Sequence, residues 1–369
     1  MISTLPTDCL NKIFECLEED KATLHSCLLV NRLWCRISVE ILWRNIWDLK
    51  CIDQIIRTLI DCLPNESKDL LINNGVISIP ISNPPLFNYV SLCKVLSIPH
   101  LLIGYCTYIE ILTQDPKNYL IIQEILKMFM KQISSLKEMD FIIKFEETVS
   151  VVGIKELISC QNNLKSISFT CNDVLSINVD TLIKFLVING KNLEELSVFD
   201  CNNNSLNLAI ANYCPNLKSL YVNFPSNGIE ELKMIFVNCQ QLESIRTSSG
   251  SRLSGKRLLE FVAKYSPKNF HELNLREVNL KSKDHLESFF SSWKDRIPLK
   301  PLSLIINGNG KGPLNNNIIR KLVEKYKGLG VIKNLSTQTN KSELDSVILL
   351  LNSILNHINC CYVAKKVII

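Results

Sequence analysis

No stretch of this 369-residue sequence approaches the roughly 18 consecutive apolar residues of a membrane span, and its start, MISTLPTDCL, lacks the basic opening and apolar run of a secretory leader. These absences predict a soluble intracellular protein, cytoplasmic and/or nuclear, with no membrane partner. No CxxC pair occurs either. The 15 cysteines are odd in number and scattered, only Cys360 and Cys361 being adjacent, which argues against a disulfide framework and against a zinc site. Asn-x-Ser sites at Asn65, Asn203, Asn334 and Asn340 are idle without secretion. The histidines His25, His100, His271, His285 and His357 lie far apart and outside any ligand pattern, so no metal is expected. There is no nucleophile elbow. GNGKG at 308–312 continues from Lys311 into Gly312 rather than Ser or Thr, which makes it a flexible turn and not a phosphate loop. Carboxylate neighbours such as Glu194-Glu195 and Glu230-Glu231 read as solvated surface. Catalysis and cofactors are therefore not expected. Aromatics are only 7% of the chain and are not interleaved with its basic residues, so nucleic acid is not an expected partner.

What is present is 46% hydrophobic residue against 21% charged, a balance that folds. The length suits a small module plus a larger body. Of the net charge of +5, residues 301–369 supply +6 from nine Lys/Arg and three Asp/Glu, leaving the rest at −1. Such a bias favours an acidic partner if it has one, though basic faces are often only solvated.

Within the first fifty residues Leu10, Ile13, Phe14 and Leu17 recur at spacings of three, four and seven, one helical stripe behind a proline suited to a first turn. Asp20 is placed to cap a second short helix carrying Leu24, Cys27 and Leu28. A third runs from about Asn31 through Trp34, Ile37, Ile41, Leu42 and Trp43. About 40 residues bury too little surface to stand alone, and two tryptophans add apolar bulk that calls for a second surface. Leu5-Pro6, then Leu10, Ile13-Phe14 and Leu17, then Val30-x-Arg32-x-Trp34, then Leu42-Trp43, resembles the F-box. That resemblance implies a small helical bundle that binds the Skp-type adaptor of cullin-RING ubiquitin ligases, with Leu5, Pro6, Leu10, Ile13, Phe14, Leu17, Leu28 and Trp34 as contacts. A module that only caps the following domain is the alternative.

Residues 51–133 read as a helical and irregular connector. Pro64, Pro80, Pro84, Pro85, Pro99 and Asn73-Asn74-Gly75 interrupt helix, PLFNYVSLCKVL from Pro85 reads as a buried helix, and any repeats there are degenerate. From Leu136 a phrase LxxLxLx recurs, beginning at Leu136, Leu164, Leu193, Leu217, Leu242, Phe270, Leu299 and, weakly, Leu329. The steps of 24 to 30 residues match the leucine-rich-repeat period of roughly 20–29. Helical stretches separate the phrases, so residues 134–340 are expected to form an α/β horseshoe, parallel strands on the concave side and helices on the convex side. One unit leaves its aliphatic ridge exposed, and stacked units share a core. CPNL at Cys214 resembles the cysteine-containing repeat type often joined to F-boxes. Residues 341–369 carry Leu344, Val347, Ile348, Leu351, Ile354, Leu355 and Ile358 at helical spacing, a capping helix and tail.

Strand side chains alternate, so the positions between the leucines face outward. Among them Phe199, Tyr221, Arg246 and Arg276, with Asn274, are candidates for client binding, since aromatic and arginine side chains dominate interface hot spots. Cross-strand stacking is the other use of Phe199 and Tyr221. The family resemblance implies a non-catalytic receptor that recruits unknown client proteins to a Skp-type adaptor and, through it, a cullin. A binding scaffold with a diverged F-box is the alternative.

Overall fold

Pro6 cannot donate a backbone hydrogen bond, which suits it to open a helix, and its carbonyl accepts from the N–H groups of Cys9 at 3.0 Å and Leu10 at 3.1 Å. Helix α1 follows over Thr7–Glu15. Asp20 caps α2, Lys21–Cys27, by accepting from the Thr23 N–H, and Asn31 caps α3, Arg32–Leu42, by accepting from the Trp34 N–H at 2.9 Å. The three helices close on Leu10, Phe14, Leu24, Cys27, Ile37 and Ile41, with Leu17, Trp34 and Leu42 packed against them. Phe14 meets Trp34 edge to face at 5.1 Å.

The computed structural model describes residues 5–47, 51–77, 85–98, 100–101, 120–133, 136–141, 161, 163–170, 179–199, 201–225, 228–248, 255–276, 283–307 and 317–336. The GNGKG turn and the expected C-terminal capping helix lie outside these residues. The chain divides into two units, residues 1–140 with 148–164, and residues 141–147 with 165–369.

In the first unit the three-helix module is followed by α4 (Ile52–Asp61), α5 (Asn65–Asn73), α6 (Tyr89–Leu92), β1 (Val95–Ser97), α7 (Leu120–Gln132) and β2 (Glu138–Phe141). The segment from Pro85 read as one helix is only four helical residues and then a strand. Cys93 leaves the helix in extended conformation, and the N–H groups of Lys94 and Val95 donate to the Arg44 carbonyl at 2.9 and 3.1 Å. β1 runs parallel to β2, Leu96 opposite Met139. A strand thus stands one place ahead of the first phrase recognised in the sequence. Its signal was weak because Cys93 and Val95 stand where the later phrases carry leucine or a polar residue. Gln161, fully buried, links Ile133 to Leu136: its side-chain N–H donates to the Ile133 carbonyl at 2.8 Å and its side-chain oxygen accepts from the Leu136 N–H at 3.0 Å.

The second unit alternates strand and helix: β3 (Ser166–Thr170), α8 (Val179–Asn189), β4 (Glu195–Phe199), α9 (Asn204–Tyr213), β5 (Ser219–Tyr221), α10 (Ile229–Asn238), β6 (Ser244–Ser248), α11 (Gly255–Tyr265), β7 (Glu272–Arg276), α12 (Lys283–Lys294), β8 (Leu302–Asn307), α13 (Asn317–Gly328) and β9 (Ile332–Ser336). Each strand pairs in parallel with the next, and one row of apolar residues stays in register across all seven: Ile167, Leu196, Leu220, Ile245, Leu273, Leu304 and Leu335. All but Leu335, at 6% exposed, are essentially inaccessible, so the ridge that one unit would expose is covered by its neighbours. The irregular last phrase has a physical cause. Ile332 pairs with Leu302 but Asn334 with Ser303, so Lys333 is an extra residue that the ladder skips.

Two glycines are fixed by geometry. Gly330, at φ +69°, ends α13, its N–H donating to the Lys327 carbonyl and that of Val331 to the Tyr326 carbonyl. Gly190 lies so close to the next repeat that a Cβ would stand 2.6 Å from the Tyr213 carbonyl oxygen and 2.9 Å from the Cys214 sulfur. Cys214 and Cys239 are buried at matching places three residues before their phrases, and the Cys239 thiol reaches the Cys214 carbonyl at 3.2 Å. Burial pushes both thiols up, Cys239 to about 12. Both pack as buried apolar side chains.

Candidate functional site

Two surfaces carry the residues singled out in the sequence. On the N-terminal module the stripe divides. Leu10 and Phe14 are core, Phe14 only 2% exposed, because residues four apart lie one above the other on the same helix face. Leu17, Leu28 and Trp34 are half-buried, while Leu5 at 54%, Pro6, and Ile13 at 49% stand in solvent. Sequence reasoning missed Leu29, 90% exposed, with Val30 and Leu33 beside it in the chain and also exposed. Leu29 follows directly on Leu28 just past the end of α2, out of phase with the buried Leu24 and Cys27. A leucine off the helical stripe was the available signal. For so small a bundle this is a large amount of uncovered aliphatic side chain.

The other end of the module is occupied. Trp43 stacks on Tyr89 with ring centroids 4.4 Å apart, and the Trp47 indole N–H donates to the Val95 carbonyl at 2.9 Å. With the Arg44 contacts these tie the end of α3 to β1, while Leu5, Ile13 and Leu29 stay exposed.

The second surface is the sheet face of the second unit that points away from the aliphatic ridge. Strand β5 places Tyr221 on it, with Phe199 of β4 edge-on at 4.4 Å and 84°. Both rings are only 7% exposed, packed on each other. In register with Tyr221 on β6, Arg246 sets its guanidinium 5.6 Å from the Tyr221 ring centre, and Arg276 of β7 donates from Nη1 to the Tyr221 hydroxyl at 3.2 Å. The structure therefore gathers Phe199, Tyr221, Arg246 and Arg276 around one phenol. Asn274 lies opposite Arg246 but is 1% exposed, so in the free chain it belongs to the sheet rather than to its surface.

Where these strands begin runs an ionic ladder that sequence reading passed over as solvated surface. Lys165, Glu194 and Lys218 stand at the same phrase position on successive strands, and Glu194 bridges Lys218 at 2.7 Å and Lys165 at 3.0 Å. Hydrogen bonds from Lys218 and then Lys165 hold the Glu194 carboxyl down to about 2. In the first unit Ser97 and His100 Nδ1 lie 2.7 Å apart; burial lowers the pKa of His100. Among the described residues, no three His, Cys, Asp or Glu side chains converge on a metal-sized site, and no helix is long and apolar enough to cross a membrane.

A family described as F-box-like matches residues 2–48. No curated protein matches the chain. The matched span coincides with the three-helix module and its partly exposed aliphatic surface. The chain thus carries an F-box-like domain at its N-terminus, followed by α/β units whose strands pair in parallel.

Proposed function

We propose that this protein is a non-catalytic substrate receptor of a Skp-cullin-F-box ubiquitin ligase. F-box domains generally bind Skp-type adaptors, and the observation that carries the reading is the number of exposed apolar side chains on this one, Leu5, Pro6, Ile13, Leu29, Val30 and Leu33. An apolar surface of this kind is stabilised by docking, each aliphatic side chain contributing about 1.5–3 kcal/mol when fully covered. The strand–helix units act as a leucine-rich-repeat solenoid whose free sheet face holds a client, and a separate enzyme transfers ubiquitin to the client. On this reading the protein works in the cytoplasm, the nucleus or both.

A scaffold that no longer meets an adaptor is favoured by one observation, the packing of Trp43 and Trp47 onto Tyr89 and Val95, which makes the module resemble an N-terminal cap of the domain behind it. Affinity purification of the tagged chain from cells separates the two. Recovery of a Skp-type adaptor together with a cullin supports the receptor; recovery of neither, with the protein folded and abundant, supports the scaffold.

A further inference from the structure

Two registered rows of side chains run across the sheet face of the second unit opposite the aliphatic ridge, and a third is broken at β5. Serine recurs in the first row, at Ser166, Ser219, Ser244 and Ser303, and begins the second, at Ser168 and Ser197, ahead of Tyr221, Arg246 and Asn274. Such small side chains leave the strands open to a peptide laid across them. Tyr221 lies in the second row, its nearly buried ring packed edge-on against Phe199. Its ring face takes Arg246 and its hydroxyl takes Arg276, so two cations are steered to one phenol. Arg276 has a further interaction besides Tyr221, so Arg246 bears the weight of the inference. No carboxylate lies within ion-pair distance of Arg246 among the described residues. The acidic residues of this face, Glu195 and Glu272, sit in the first row, and Glu195 accepts a hydrogen bond from Ser166 at 3.1 Å. A ring face attracts a guanidinium without using its planar fork of N–H donors, the part that matches a carboxylate or phosphate two bonds at a time.

We propose that Arg246, with Arg276 beside it and Tyr221 as the post that sets both, is an anion subsite for a carboxylate or phosphate on an extended client segment lying across the serine rows. The proposal rests on the client-recruitment reading above. Tyr221 is a positioning residue here, which agrees with its near-complete burial.

The test uses the full chain and four fluorescent degenerate ten-residue peptide pools: amidated with a central serine, glutamate or phosphoserine, and the serine pool with a free terminal carboxylate. Fluorescence anisotropy is read for wild type, Arg246→Gln and Arg246→Lys, with thermal melts to confirm folding. At least one anionic pool should bind tenfold or more tightly than the amidated serine pool. That preference should fall below threefold in a normally melting Arg246→Gln protein and lie between in Arg246→Lys. Which pool is preferred identifies a phosphorylated side chain, an acidic side chain or a chain terminus as the source. Equal binding of all four pools by wild type, an anion preference unchanged in Arg246→Gln, or tighter binding of a single-stranded oligonucleotide than of any pool overturns the proposal. Capture of a Skp-type adaptor by the same preparations keeps the two readings apart. Intact capture without anion preference removes the subsite alone, and failure of wild type to capture the adaptor removes the reading beneath it.

Discussion

Arg296 makes the sharpest quantitative prediction. It follows α12 and reaches back to the end of α11, where its Nη1 donates to the Ala263 carbonyl at 3.1 Å and the Ser266 hydroxyl at 2.6 Å, and its Nη2 to the carbonyls of Ser266 and Pro267, each at 2.8 Å. The guanidinium also lies 4.2 Å from the centre of the Trp293 ring. Burial works against its charge and lowers its pKa, so the cation is retained for the acceptors it fills at a helix C-terminus, where the backbone dipole favours positive charge. Hydrogen bonds to a charged group contribute about 1.5–3 kcal/mol each, and water replaces part of that at a half-buried site, so Arg296→Ala should cost about 3–4 kcal/mol. Arg296→Lys keeps the charge but reaches one or two acceptors at most, and should lose about half as much. Urea unfolding by circular dichroism measures both, with fluorescence of Trp293 as a local reporter, since the other tryptophans Trp34, Trp43 and Trp47 belong to the first unit. A lysine variant as stable as wild type, or a loss below about 1 kcal/mol for alanine, would refute the claim that the Arg296 fork stabilises the end of α11.

Gly190→Ala should destabilise the second unit by about 1–3 kcal/mol, because the new methyl meets backbone at Tyr213 that cannot swing aside; a urea midpoint equal to wild type would contradict this. Glu194 has a folded pKa near 2 against an ordinary 4.5, so its contribution is complete above about pH 4.5 and fades as pH falls toward 2. The stability difference between wild type and Glu194→Gln should therefore be present at pH 7, shrink steadily below pH 4.5, and weaken with salt. A difference independent of pH would show the ladder to be inert. Phe14→Ala should lower the melting temperature through a cavity costing about 3–5 kcal/mol, whereas Leu29→Asp should leave it within a degree or two, since Leu29 touches solvent; near-equal effects would mean that the exposed surface is wrongly placed.

How much of this was legible in the sequence differs from element to element. The Asp20 cap and the three short helices follow from local chemistry, because a side-chain oxygen beside the free N–H groups of a first turn acts within a few residues. The repeated phrase located β2 to β8 and, weakly, β9, because one aliphatic ridge serves every strand. It missed β1, where Cys93 and Val95 replace the usual residues and the partner is the distant Arg44 carbonyl. Burial was the harder quantity. Leu10 and Ile13 look alike in a one-dimensional stripe, yet a helix of nine residues turns one inward and the other out. The convergence of Tyr221, Arg246 and Arg276 depends on register across three strands, and the charge pairing of Glu194 on the two strands beside it. Neither is written in any single segment.

The most direct test of the central claim is a titration of the purified chain with a purified Skp-type adaptor, comparing wild type with Ile13→Asp, Leu29→Asp and the core control Leu335→Ala in the second unit. The account predicts a one-to-one complex, weakened at least about tenfold by either surface aspartate in a normally folded protein and unaffected by the core change in the second unit. No complex with wild type, or full affinity in both aspartate variants, would contradict it.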